Sequence, residues 1–498
     1  MTPTTKMRTN IAFAAQTGLI LRVYLVLKFP VTQSGDAPFY IELAWNWLKN
    51  GVYGFPVNGR LTPVDMRVPG YPAFLAVVFA FAGKSPRAVM LVQAVVDLAG
   101  CFLIALIAER LAPADSRRRV FIAGLWLAAL CPFTANYSAV VLTETLVTFL
   151  TSLAILVLLE TNLGRAADDG GVAFAANRFF SNPWLLAGIV VGFGTLVRPE
   201  TPLLLIAAGL VLMAKWGRRR EWPKLVRAGL LMGLGVLLPL LPWAARNWTV
   251  LHKVQFLAPR YSELPGEYTP LGLTDWTSTW LWRFRDVYKV TWKVNDEPIS
   301  PGDIPPRAFD SPDERARVDT LFDKYNESLT MGPEIDSQFQ EIARERTKRH
   351  PLRTYVEIPF LRMLAIWFTP RVELLPVSGR VWPLRVEWEE DRADLLVTLA
   401  LVATNAFYIG LALWGAWLAR TRPGWALLVA FILVRTIFFS KFVEAPEPRY
   451  VLECFPAVIA LAAQPFAQKV SSLPRALDES SGGKFAGSVL SRDPQAQR

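Results

Sequence analysis

Gly35-Asp36-Ala37-Pro38-Phe39-Tyr40 and Arg67-Val68-Pro69-Gly70-Tyr71-Pro72 lie toward the two ends of a polar island, residues 31–72. An apolar run, 11–30, precedes this island, and another, 87–109, follows it. Each run is close to the roughly 20 helical residues that cross a hydrocarbon core of about 30 Å. A carboxylate and a guanidinium are therefore held beside a bilayer, outside its core. Charge in that position needs a partner or a task.

Further apolar runs occupy 120–132, 139–159, 183–197, 201–214, 225–243, 394–418, 424–440 and 451–467. With 52% hydrophobic residues in 498, this is too apolar for an ordinary soluble chain. The reading is an all-α polytopic membrane protein with about ten transmembrane helices. Interfacial helices are expected in the first external loop, and a large external segment before the last three spans.

The net charge of +11 is not a nucleic-acid signature. Arg117-Arg118-Arg119, Lys215 with Arg218-Arg219-Arg220, and Arg420 with Arg422 fall in short loops between apolar runs. That is the positive-inside pattern, which sets topology. Lys6 and Arg8 precede the first run, which reads as a signal anchor. Cys101, Cys131 and Cys454 lie in or beside apolar runs and read as small core residues. Two histidines, His252 and His350, do not suggest a His-based metal site or triad.

The basic loops fix sidedness. The N-terminus is inside, 11–30 crosses outward, and 31–86 is the first external loop. The apolar stretch 70–83 would break parity as a span and is read as interfacial. Seven spans make up a module over 1–243. Residues 244–393 form an extracytoplasmic segment or cap, 394–467 a three-span C-terminal module, and 468–498 a disordered cytosolic tail. The stretch 354–369 contains Glu357, Pro359 and Arg362 and is read as interfacial. The expected location is a bacterial plasma (inner) membrane, with both termini cytoplasmic.

On this topology charged groups from five regions meet on the outer side. They are Asp36, Glu42, Asp65 and Arg67; Glu144; Arg198 and Glu200; Arg246; and Lys441, Glu444, Glu447 and Arg449, with the neutral Tyr450 beside them. A polyprenyl-phosphate sugar would meet the demands of such a mouth. Its phosphate calls for guanidinium, its tail for a membrane groove, and its acceptor for a base such as Asp36. Each residue also has a plainer reading. Asp36 suits the N-cap of a helix over 38–49, and Arg198 and Arg449 pair naturally with Glu200 and Glu447. Arg246-Asn247-Trp248 suits an interface anchor. The tryptophans at 276, 280, 282 and 292 either stack on a sugar or pack. A polytopic transporter or lipid flippase is the alternative class, although transporters usually place charge near the midplane and have paired halves.

The ordered set of motifs resembles the C-superfold membrane glycosyltransferases, in particular the group around protein O-mannosyltransferases and the lipid A aminoarabinose transferase. The matching pieces are Asp36 with Tyr40 and Ala44, Gly51, and Arg67-x-Pro69-Gly70-Tyr71-Pro72. They continue with Leu142-Thr143-Glu144, Arg198-Pro199-Glu200, Pro242-Trp243-x-x-Arg246-Asn247, and Arg449-Tyr450. The resemblance implies an inverting transfer from a polyprenyl-phosphate-linked donor to a glycan, lipid or protein acceptor on the extracytoplasmic face. It makes Asp36 the general base and Glu144 the second acid. Arg67, Tyr71, Tyr40, Arg198, Glu200, Arg246, Arg449 and Tyr450 become the residues around the lipid phosphate and sugar. Relatives often have Asp where Glu144 stands, and some carry an acidic pair where Ala37-Pro38 stands here. No cofactor is called for with certainty, and a divalent metal is left open.

Overall fold

The computed structural model describes residues 3–28, 35–161, 163, 182–261 and 268–468. The expected disordered tail beyond Gln468 lies outside them, as do residues 164–181 between two of the apolar runs. Residues up to Ala467 cluster as one compact unit. In chain order the helices are α1 (Pro3–Lys28), α2 (Ala37–Asn50), α3 (Gly70–Ala82), α4 (Pro86–Leu111), α5 (Arg117–Leu130), α6 (Pro132–Tyr137) and α7 (Glu144–Leu159). There follow α8 (Pro183–Val197), α9 (Leu203–Leu212), α10 (Trp222–Leu251), α11 (Leu271–Ser278), α12 (Phe284–Val287), α13 (Pro312–Ser328) and α14 (Pro333–Arg349). The last are α15 (Ile358–Phe368), α16 (Leu384–Glu390), α17 (Arg392–Leu418), α18 (Trp425–Lys441) and α19 (Phe455–Ala462). A 3-10 segment, Pro448–Cys454, leads into α19.

Among the described residues, five helical stretches are long and apolar enough to cross a membrane: Thr5–Lys28, Pro86–Leu111, Trp222–Leu251, Arg392–Leu418 and Pro448–Ala467. Shorter apolar helices occupy Gly70–Ala82, Glu144–Leu159, Pro183–Val197 and Leu203–Gly217. At 13 residues α3 is too short to span hydrocarbon unaided. α10 runs past the apolar stretch to Leu251, so Arg246 and Asn247 sit on the helix itself.

The polar island folds as helix, hairpin, helix. Gly51 stops α2 in the left-handed region (φ 68°), its N–H returning to the Trp47 carbonyl. Strands β1 (Gly54–Val57) and β2 (Arg60–Pro63) pair antiparallel, with Val57 opposite Arg60. Asn58 and Gly59 both take positive φ, as a tight hairpin turn requires. Pro69 then leads into α3, whose first residue, Gly70, abuts the end of α8. A Cβ there would lie 2.5 Å from the Leu196 carbonyl oxygen.

The expected cap has its own core, in which Trp276, Trp280, Phe322 and Phe339 are buried together. Trp276 and Trp280 therefore pack against each other rather than facing a sugar. The buried Arg362 of α15 donates to the carbonyls of Leu281 and Ser278, tying that helix to the cap.

Candidate functional site

Asp36 occupies the N-cap position of α2 but makes no capping hydrogen bond. Its side chain turns instead to two guanidiniums. Arg67 Nη2 donates to Oδ1 at 2.9 Å, and Arg449 Nη1 donates to Oδ2 at 3.3 Å. Burial alone raises the Asp36 pKa, but Arg449 and Arg67 outweigh it and hold the carboxyl below its usual range.

Each guanidinium is itself braced. The Arg67 backbone carbonyl accepts from the hydroxyl of buried Tyr53 at 2.9 Å. Glu447, also buried, lies in ion-pair range of Arg449 Nε and accepts from the Tyr450 hydroxyl at 3.1 Å. The Tyr450 ring stacks on Phe439, and the guanidiniums of Arg198 and Arg449 both lie over it.

A second cluster adjoins the first. Glu144 opens α7 and is 1% exposed, and Arg198, at the end of α8, donates to it at 3.1 Å. Glu200 and Glu453 lie 3.8 and 3.7 Å from the same guanidinium. Glu453 in turn pairs with the fully buried Arg435 of α18.

Both clusters border one cavity of about 780 Å³. Its walls carry four carboxylates (Asp36, Glu144, Glu200, Glu444) and four guanidiniums (Arg67, Arg198, Arg260, Arg449), with Tyr40 and Tyr450. Around Asp36 the guanidiniums of Arg67 and Arg449 are balanced by Asp36 itself and by Glu447.

Asp36, Tyr40, Arg67, Glu144, Arg198, Glu200, Arg449 and Tyr450 are thus brought together. Two other residues are placed elsewhere. Tyr71 is fully buried, with its hydroxyl on Gln93 Oε1 at 2.6 Å and its ring edge-on to Tyr40. Arg246 lines a different cavity. The sequence places Glu447 in the outer group and pairs it with Arg449, whereas it does not single out Glu453 and Arg435. The available signal was charge inside apolar runs, where Arg435 and Glu453 both stand.

A divalent metal would need free carboxylates. Among the described residues no group of three or more His, Cys, Asp or Glu is placed to hold one. Asp36 and Glu144 are already engaged by arginine.

Residues 66–243 match the family model of dolichyl-phosphate-mannose-protein mannosyltransferase. The matched stretch includes Arg67, Glu144, Arg198 and Glu200 and begins after Asp36. No curated protein matches the chain. Among solved structures, the chain is similar to the archaeal oligosaccharyltransferase AglB from Archaeoglobus fulgidus in complex with an inhibitory peptide and a dolichol-phosphate. That likeness has 14% identity and a TM-score of 0.48, over 93% of this chain and 50% of the other. It is also similar to the Archaeoglobus fulgidus oligosaccharyltransferase in complex with Zn and sulfate, at 14% identity and a TM-score of 0.45, over 91% and 48%. The chain spans about half the length of these structures.

Proposed function

We infer that the chain is an integral membrane glycosyltransferase that takes a sugar from a polyprenyl-phosphate carrier. The acceptor is presented on the extracytoplasmic face, and about ten crossings carry the site. The observation that carries this reading is Asp36 held between Arg67 and Arg449 on the wall of a cavity large enough for a sugar. The family match over 66–243 supports the donor class.

The chemistry follows from charge. With both its oxygens occupied by guanidiniums, Asp36 is a weak base. An incoming phosphodiester competes for the same N–H groups and takes them with two-pronged hydrogen bonds. Asp36 then loses its stabilising partners, and its basicity rises when donor is bound. It accepts the proton of the acceptor O–H or N–H. The acceptor atom bonds to the sugar C1 as the C1–O bond to phosphate breaks on the opposite face. The bonding pair leaves with the polyprenyl phosphate, whose added charge Arg67 and Arg449 hold. One displacement gives inversion. Glu144, fixed by Arg198, and Glu200 accept hydrogen bonds from hydroxyls of the sugar or acceptor.

Asp36→Asn keeps the shape and removes the base. Transfer by the purified protein falls about 10²–10⁴-fold, while polyprenyl phosphate still binds. Near-normal turnover would remove Asp36 from this role.

A further inference from the structure

Arg371, in the loop after α15, is buried (4% exposed) and holds φ at +57°. Taking a cation out of water is unfavourable, and left-handed backbone is strained in a residue that has a Cβ. Both features at one position need a reason. The hydrogen bonds of Arg371 go to three separate elements. Nε donates to Asn405 Oδ1 of α17 at 3.3 Å, Nη2 to the Ile366 carbonyl of α15 at 3.2 Å, and Nη1 to the Pro448 carbonyl at 3.2 Å. The guanidinium lies over the rings of Phe133 and Phe455, 5.7 and 4.8 Å from their centroids.

Helix capping accounts for part of this. The last carbonyls of α15 have no partner inside the helix. Arg371 serves Ile366, and Asn405 Nδ2 serves Trp367 at 2.6 Å. Capping does not account for the third bond, which reaches 77 residues along the chain to Pro448. Pro448 immediately precedes Arg449. On the other side of Arg449, the Tyr450 carbonyl accepts from Nε of the fully buried Arg435 at 2.6 Å. Guanidinium donors thus hold the backbone before and after Arg449, one from the loop behind α15 and one from α18.

From that backbone Arg449 reaches Asp36 Oδ2 at 3.3 Å, whereas Arg67 reaches Oδ1 at 2.9 Å. Arg371 does not line the site cavity, so its influence there passes through Arg449. We propose that Arg371 is a positioning residue for transfer: with Arg435 it fixes the peptide from which Arg449 is aimed at Asp36, and it ties α15, itself joined to the cap through Arg362, to the site. Without the Pro448 bond, Arg449 is free to turn to Glu447, its other partner. Asp36 then keeps Arg67 alone, and Arg449 is no longer placed for the phosphate. Tyr40, Arg67 and Arg449 lie in electrostatic range of Asp36. Glu144, Arg198, Glu447, Tyr450, Tyr137 and Tyr288 lie in range of Arg449. Substitution of Arg371 leaves all of these side chains present. The kinetic consequence rests on the reading of Asp36 as base; the aiming of Arg449 does not.

The test compares the full chain in nanodiscs with Arg371→Gln, Arg449→Gln and the double variant. In Arg371→Gln, kcat/KM falls about 10²-fold and its acid limb moves up by about 1 pH unit, as in Arg449→Gln. The double variant goes no further than Arg449→Gln alone, because the two changes act through one contact. Asn405→Ala keeps Arg371 but removes the acceptor of its Nε, and it moves the limb the same way by less. Arg362→Gln removes another buried arginine that donates to carbonyls; it lowers the melting temperature and leaves the limb in place. A donor-free cryo-EM structure of Arg371→Gln, or of Asn405→Ala where the first does not fold, shows Arg449 beyond hydrogen-bond distance of Asp36. Arg449 still seated on Asp36 overturns the proposal whatever the chemistry. Additive effects in the double variant, or an equal limb shift in Arg362→Gln, overturn it too. A limb unmoved by Arg449→Gln itself defeats the reading of Asp36 as base, and the cryo-EM distance then decides the positioning role alone.

Discussion

At the scale of the residue, the charge state of Asp36 is set by its two neighbours. Burial works to raise its pKa, but Arg449 and Arg67 lower it further, so the net direction is down. Asp36 is therefore ionised throughout the neutral range and protonates only below the ordinary carboxyl value of about 4. The stability it lends is present above that value and is lost only as acid takes the pH through its folded-state pKa. In kcat/KM, which reports the free protein, no acid limb due to Asp36 should appear above about pH 5. In kcat, which reports the donor complex, the phosphate has taken the guanidiniums and the limb should lie at higher pH. Arg67→Gln removes one lowering partner and should move the kcat/KM limb upward. Coincident limbs in kcat and kcat/KM would contradict the exchange of partners.

At the scale of the element, α3 is placed by one close approach. A Cβ on Gly70 would stand 2.5 Å from the Leu196 carbonyl oxygen, which is backbone and cannot swing away. Gly70→Ala should therefore push α3 off α8, lower the melting temperature by the equivalent of about 1–3 kcal/mol, and reduce transfer, because Arg67 leads into that helix. Gly209 in α9 has nothing within 4 Å of the same position, and Gly209→Ala should leave both unchanged. Equal effects at the two glycines would show that the contact does not set the site.

Much of this layout was legible. Apolar runs separated by basic loops gave the helices, and Asp36, Arg67, Glu144, Arg198 and Arg449 stood out as charges beside apolar segments. The hairpin was written in Asn58-Gly59, a tight-turn pair that hydropathy alone passes over. Pairing was not legible. Asp36 and Arg449 are 413 residues apart, and nothing local to either names the other. Tyr71 and Arg246 belong to motifs that travel with the site, yet packing turns one onto Gln93 and the other into the neighbouring cavity. The bracing acid Glu453 acts through other side chains, and residue type alone does not announce such a role.

At the scale of the whole molecule, the site joins the two ends of the chain. The Pro448–Cys454 segment supplies Arg449, Tyr450 and Glu453 to groups carried by α2, α7 and the end of α8. The C-terminal helices are thus part of the site and not an added anchor. The most direct test is a structure of the full chain with polyprenyl phosphate bound in a nanodisc. The account predicts the phosphate against Arg67 and Arg449, with Asp36 released from at least one of them. Phosphate at Arg246 or at the basic loops around Arg118 and Arg219, with Asp36 still held by both arginines, would contradict it.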